Sequence, residues 1–160
     1  MKRTSGFTIV EVTIVVIVIA ILATITLVSY GKVQADSRDK TREGNVTVIV
    51  EGLEKYFMKN GEYPSERSIV NDFAGNTGTV VAGILGVNAS DLKMPQAASS
   101  VTNSLNSAAT PTGDSISYIA TDTLNNANCQ SSLTGGCDQY TLKYNKENSG
   151  LITIVSRHHP

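Results

Sequence analysis

Apolar positions follow three different rhythms along this chain. From Phe7 to Val28 they are nearly continuous, interrupted by a few threonines and by one ionisable residue, Glu11. From Val46 to Phe57 they recur at three-and-four spacing, through Val46, Ile49, Val50, Leu53, Tyr56 and Phe57. That is one face of an amphipathic helix. After Gly113 they alternate, in Ile116, Tyr118 and Ile119, then Tyr140, Leu142 and Tyr144, then Leu151, Ile152, Ile154 and Val155. Three strands are predicted there, and Asn145–Gly150 between the last two reads as a hairpin loop, so those two pair antiparallel.

An apolar helix of about 20 residues is long enough to cross a bilayer. No proline occurs between Ser29 and Asn60, so the first two rhythms are predicted to share one helix, from Phe7 to about Lys59. Such a helix would run roughly 80 Å at 1.5 Å per residue. Gly31, Gly44 and Gly52 each weaken it by about 1 kcal/mol relative to alanine and are expected points of curvature or fraying. Asn60-Gly61 is a C-terminal stop, and Tyr63-Pro64 keeps the helix from resuming. Between the two apolar stretches, Asp36, Arg38, Asp39, Lys40, Arg42 and Glu43 alternate in sign, as on a solvated surface or on a face that meets neighbouring charged helices. Asp36 and Lys40 form a favourable i,i+4 pair.

From Ser65 to Asp114 the composition turns to Ser, Thr, Asn, Ala and Gly, with weak helical patches at Ser68–Phe73 and Ser90–Met94. A loop-rich connection is expected. The resulting fold class is α+β: a long N-terminal helix, membrane-spanning in its first half, packed on a small antiparallel sheet of about three to four strands, with the Val46 to Phe57 face as its lid. The organisation reads as a leader at 1–6, a membrane and assembly segment at 7–28, an amphipathic second half of the helix at 29–60 and a globular head at 61–160.

Charge orients this arrangement. Lys2 and Arg3 precede the apolar run, which keeps the leader cytoplasmic and places the head outside the cytoplasm. The net charge of −1 and the absence of a concentrated basic patch argue against direct nucleic-acid binding by the subunit. Cys129 and Cys137 flank a short loop containing Gly135 and Gly136, which in an oxidising compartment reads as a disulfide. A metal pair is the competing reading, disfavoured because zinc takes four ligands at tighter spacing and the only histidines, His158 and His159, sit at the frayed C-terminus.

The run Gly6-Phe7-Thr8-Ile9-Val10-Glu11 ahead of an apolar helix resembles the processing site of bacterial type IV prepilins and pseudopilins. Asn60-Gly61-Glu62-Tyr63-Pro64 is similar to the stretch that ends the long helix in pseudopilins of secretion and competence systems. The resemblance implies a class III signal peptide cut between Gly6 and Phe7 by a membrane-embedded prepilin peptidase, followed by N-methylation of Phe7. It further implies polymerisation into a helical filament of like subunits on an assembly platform driven by an ATPase, with membrane lipid holding the subunit beforehand. The physical reading agrees. Gly6 lets a protease approach the backbone, cleavage creates an ammonium at Phe7, and Glu11 lies about 6 Å further along the helix. Staggered helices would set one subunit's Glu11 against a neighbour's Phe7 amine, in an apolar bundle where such a pair fixes register. The bland alternative is that Glu11 snorkels at the membrane interface.

Ala20 and Ala23 allow close helix approach, and Thr13, Thr24 and Thr26 can hydrogen-bond carbonyls, so self-association is expected. Many pilins carry a proline or glycine in mid-segment where the helix melts. This chain has neither between Phe7 and Val28, which favours a straighter helix unless Gly31 is the weak point.

No catalytic constellation is present: there is no HExxH, and the glycines at Gly75 and Gly78 lack a lysine at P-loop spacing. No enzymatic activity, metal or cofactor is expected. Asp114, Asp122 and Asp138 read as solvated loop carboxylates rather than as a calcium site. Tyr118, Tyr140 and Tyr144 read as sheet packing rather than as an exposed adhesive surface. Three functions stay in competition. The first is a major pilin of a surface type IV pilus for adhesion, twitching motility or DNA uptake. The second is a pseudopilin of a type II secretion or competence system. The third is a secreted or membrane-anchored binding protein, for which Val33-Gln34-Ala35 would be a signal-peptidase site.

Overall fold

The structure is a computed structural model and describes residues 6–123, 127–129 and 136–158. Lys2 and Arg3 of the leader, Gly135 in the cysteine loop, and His159 lie outside the described residues. The chain divides into two compact units at the Ser37–Arg38 link. Helix α1 (Ile9–Asn60, 52 residues) supplies all the helical residues of the first unit and the first element of the second.

The first unit consists of α1 residues whose side chains are exposed along nearly the whole apolar run. By length and composition α1 can cross a membrane. It starts at Ile9, two residues later than the apolar run.

In the second unit α1 is followed by α2 (Glu66–Ile69), α3 (Gly78–Leu85), a short 3-10 helix (Ala89–Leu92) and, among the described residues, five strands. These are β1 (Leu105–Asn106), β2 (Ile116–Asp122), β3 (Ala127–Asn128), β4 (Gln139–Lys146) and β5 (Gly150–Val155). The sheet runs β1-β2-β4-β5, with β3 pairing the far end of β2. β2, β4 and β5 are antiparallel neighbours, as is β3 with β2, but β1 runs parallel to β2, so the sheet is mixed rather than wholly antiparallel. The two-residue β1 is too short to leave an alternation in the sequence, and its parallel sense requires residues 107–115 to carry the chain back before β2 begins.

Register puts even-numbered residues on the inner face. Ile116, Tyr144 and Ile152 form one row, Tyr118, Leu142 and Ile154 the next, and Ala120 faces Tyr140. Val46, Ile49, Val50 and Leu53 of α1 belong to the same buried core, with Phe57 packed at its margin. Tyr63, Tyr118 and Tyr140 are fully buried core residues rather than surface groups. α1 stops where Gly61 takes φ +77° and donates its N–H to Phe57 O at 2.7 Å. α3 was not legible from periodicity. It is set by Thr77, whose side chain accepts from Val80 N, and by left-handed Gly86. The patches expected at Ser68–Phe73 and Ser90–Met94 are α2 and the 3-10 helix, which begin two and one residues earlier and are shorter.

Cys129 and Cys137 are disulfide-bonded. The pair ties the sheet to the chain leaving α1: Tyr63 N–H donates to Cys137 O, Glu66 N–H to Cys129 O, and Cys129 N–H to Ala120 O. Glu66 is buried there, and that burial raises its carboxyl above the usual range.

Helical residues continue through Gly31, Gly44 and Gly52. Gly52 is required by packing, because a Cβ there would lie 2.9 Å from both Leu85 O and Val87 Cγ1, whereas Gly44 has nothing within 4 Å of that position. Gly52→Ala is therefore expected to cost about 1–3 kcal/mol by overpacking, and Gly44→Ala to stabilise by up to about 1 kcal/mol through helix propensity. Thermal unfolding of the full chain in detergent checks both signs. A neutral Gly52→Ala would refute the close approach of α3.

Candidate processing and assembly site

Gly6, Phe7 and Thr8 are non-helical, so the Gly6–Phe7 bond precedes the first turn of α1, and the Phe7 side chain is 87% exposed. Thr8 sits at the N-cap. Its N–H and its hydroxyl both donate to Glu11 Oε2 at 2.8 Å, while Glu11 N–H donates to Thr8 Oγ1 at 3.3 Å. This reciprocal pairing is a capping box, in which the carboxylate accepts the Thr8 N–H and the Thr8 hydroxyl oxygen accepts the Glu11 N–H, two backbone groups left over at the helix start. The sequence signal for it is Thr-x-x-Glu ahead of an apolar run. Glu11 thus has a partner, Thr8, inside its own chain.

The threonines of the run bond to carbonyls of their own helix. Thr13, Thr24 and Thr26 each donate their hydroxyl to the carbonyl four residues back, Ile9 O, Ala20 O and Leu22 O, at 2.8 Å. Bonded that way their hydroxyl protons are satisfied within the helix and cost little in lipid.

In the charged stretch following the apolar run, Asp36, Lys40 and Glu43 are exposed, as on a solvated surface, whereas Asp39 and Arg42 are buried. Arg42 is buried, and its guanidinium donates to Asp39, Gln96, Asp114 and Glu147. Arg38 holds both oxygens of Glu147 at 2.7 and 2.6 Å. Hydrogen bonds from Arg38 and Arg42 bring the Glu147 carboxyl down to about 2. Burial raises Asp39, but the N–H groups of Glu147 and Asn148 together with Arg42 outweigh it and hold the carboxyl below its ordinary value.

Other candidate groups have structural partners. Asp114 pairs with Arg42, Asp122 is buried, and Asp138 accepts from the backbone and hydroxyl of Thr123, so the solvated reading fails for the first two. Among the described residues no group of three His, Cys, Asp or Glu side chains is placed to hold a metal. His158 is packed rather than frayed, its ring stacked on Phe57 with centroids 4.5 Å apart and Nε2 3.5 Å from Glu54.

Comparison with known proteins bears on the N-terminal segment. Residues 1–27 match the family model of the prokaryotic N-terminal methylation motif. No curated protein matches the chain, and no solved structure does. Gly6, Phe7, Thr8 and Glu11 all lie within the matched segment, and over it the chain is similar to the class III signal peptide of type IV pilins and pseudopilins.

Proposed function

We propose that the chain is a structural subunit, the major pilin, of a type IV pilus. Prepilin peptidase hydrolyses the Gly6–Phe7 peptide bond, the released Phe7 amine is methylated, and the mature subunit waits in the cytoplasmic membrane with its head outside. An assembly platform and its ATPase then stack copies into an extracellular filament. The observation that carries this reading is the coincidence of the methylation motif with α1 side chains exposed along nearly the whole apolar run directly behind it. Such a surface has two suitable environments in succession, lipid and then the α1 helices of other copies.

N-terminal sequencing and mass measurement of the protein from native membranes test this. Methylated Phe7 at the N-terminus is expected. An N-terminus at Asp36, or an intact Met1, would make the chain a secreted or anchored binding protein instead. Val33-Gln34-Ala35 lies inside α1, a poor setting for a signal peptidase that needs extended backbone. The pseudopilin of a type II secretion or competence system shares all of these features. Electron microscopy of the native cell separates the two, because abundant long surface fibres built of this subunit support the pilus and sparse subunits without fibres support the pseudopilin.

A further inference from the structure

The α1 stretch from Arg38 to Asn45 reads Arg-Asp-Lys-Thr-Arg-Glu-Gly-Asn and contains no apolar side chain. Its attachment to the rest of its unit is nonetheless extensive, and the contacts it makes there are hydrogen bonds and ion pairs. Arg42 Nη1 lies 2.9 Å from Asp39 Oδ1 and 2.7 Å from Glu147 Oε1; Nη2 lies 3.1 Å from Gln96 Oε1 and 3.0 Å from Asp114 Oδ1. Asp39 accepts the N–H groups of Glu147 and Asn148, at 2.8 and 3.1 Å. Asn45 donates to Lys93 O at 2.9 Å, and Lys146 reaches Glu43 at 3.0 Å. Three separate stretches of the head, around Gln96, Asp114 and the β4–β5 turn, are thus pinned to one helical segment through one buried guanidinium.

From Val46 onward the chemistry of α1 changes. Val46, Ile49, Val50 and Leu53 are buried in the core, and separating them from the sheet exposes apolar surface to water. Separating Arg38–Asn45 exposes chiefly polar groups, whose hydrogen bonds to the head are exchanged for hydrogen bonds to water. Gly44, with nothing near its Cβ position, stands at the join between the two zones. The shared contacts on Arg42 make piecemeal release unfavourable, because withdrawing the guanidinium strands Asp39, Asp114 and Glu147 together.

We propose that Arg38–Asn45 is a polar latch pinned by Arg42, a segment of α1 that leaves the head as one cooperative unit while Val46–Phe57 stays packed. The latch lets part of the helix exchange its charged partners without unfolding the core. It does not depend on the pilus reading, since it concerns α1 residues and head loops of a single chain.

Hydrogen exchange measured by mass spectrometry on the full chain in detergent micelles tests it. In Arg42→Met, amides of Arg38–Asn45 and of Glu147 and Asn148 should exchange about tenfold faster or more, while Val46–Phe57 and the β2–β4 ladder stay within about twofold of wild type. Raising sodium chloride from about 0.05 to about 1 M should accelerate the same amides in the wild-type chain, because screening weakens part-exposed pairs. Glu147→Gln, nearly the same shape without the charge shared by Arg38 and Arg42, should give the same pattern to a smaller degree. Unchanged protection over 38–45 in both variants would overturn the latch. So would acceleration that spreads equally into Val46–Phe57 and the sheet, or loss of the whole fold in both variants.

Discussion

Replacing Glu11 with alanine should leave the subunit inserted in the membrane at wild-type level or above, while filament yield falls about a hundredfold, as for a buried charge left without its partner. Insertion improves because an ionisable group has left an apolar helix. Assembly fails because the Phe7 ammonium created by cleavage would be carried into a bundle of apolar helices with no carboxylate to meet it. The capping box adds a rival explanation, in which Glu11 matters because it orders the first turn of its own helix through Thr8. Glu11→Gln separates the two. It keeps a carbonyl oxygen able to accept from Thr8 but carries no charge, so under the ion-pair account it assembles as poorly as alanine. Thr8→Val removes the hydroxyl and keeps the charge, and should assemble nearly as wild type. Filaments of Glu11→Gln at wild-type level, together with their loss in Thr8→Val, would show capping to be the function of Glu11. Sheared-fibre yield against total membrane subunit is the measurement.

The parts of this fold that were legible share one property: a repeat long enough to be seen against chance. The α1 face of Val46, Ile49, Val50 and Leu53 spans two turns at helical spacing, and the alternating positions of β2 and β4 are buried, whereas in β5 Ile152 and Ile154 are half-buried and Leu151 and Val155 exposed. The two-residue strands β1 and β3 have no room for a period. α3, Gly-Thr-Val-Val-Ala-Gly-Ile-Leu, carries two glycines and two β-branched valines, and its existence depends on Thr77, Gly86 and the packing of Leu85 against Gly52. The charged stretch misled for a different reason. Sign alternation specifies that partners are wanted but not where they lie, and the partners of Arg42 come from residues far along the chain, at Gln96, Asp114 and Glu147. The N-terminal site was legible as a motif because it is linear. What it lacked was Thr8, a local contact three residues from Glu11 that capping chemistry alone would have supplied.

Glu54→Ala should lower the stability of the head by about 3 kcal/mol, from two hydrogen bonds to a charged acceptor at roughly 1.5–3 kcal/mol each, less the relief of no longer burying a carboxylate. Glu54 is 8% exposed. Its two oxygens accept the hydroxyls of Tyr63 and Tyr140 at 3.0 Å each, and Arg157 N–H lies 3.4 Å from the second. Alanine leaves both phenols buried without an acceptor, in a cluster where the Tyr63 and Tyr140 rings meet edge to face at 4.8 Å. For a domain of this size the change corresponds to a fall in Tm of roughly 10–20 °C. Glu54→Gln retains one good acceptor and should lose about 1 kcal/mol. The same residues set an alkaline limit. Burial, with Glu54 beside them, pushes both Tyr63 and Tyr140 far above the ordinary phenol value, and burial does the same to Tyr118. A phenol raised in the fold contributes stability in full below its unfolded value, near pH 10, and loses it as pH rises toward the folded value. Wild-type Tm should therefore fall steeply above about pH 10, and in Glu54→Gln, which lacks the nearby charge, the fall should level off at a lower pH and be smaller in total. A fall of equal extent in the two proteins would mean that Glu54 does not act on the phenols, whatever the alanine variant does to stability.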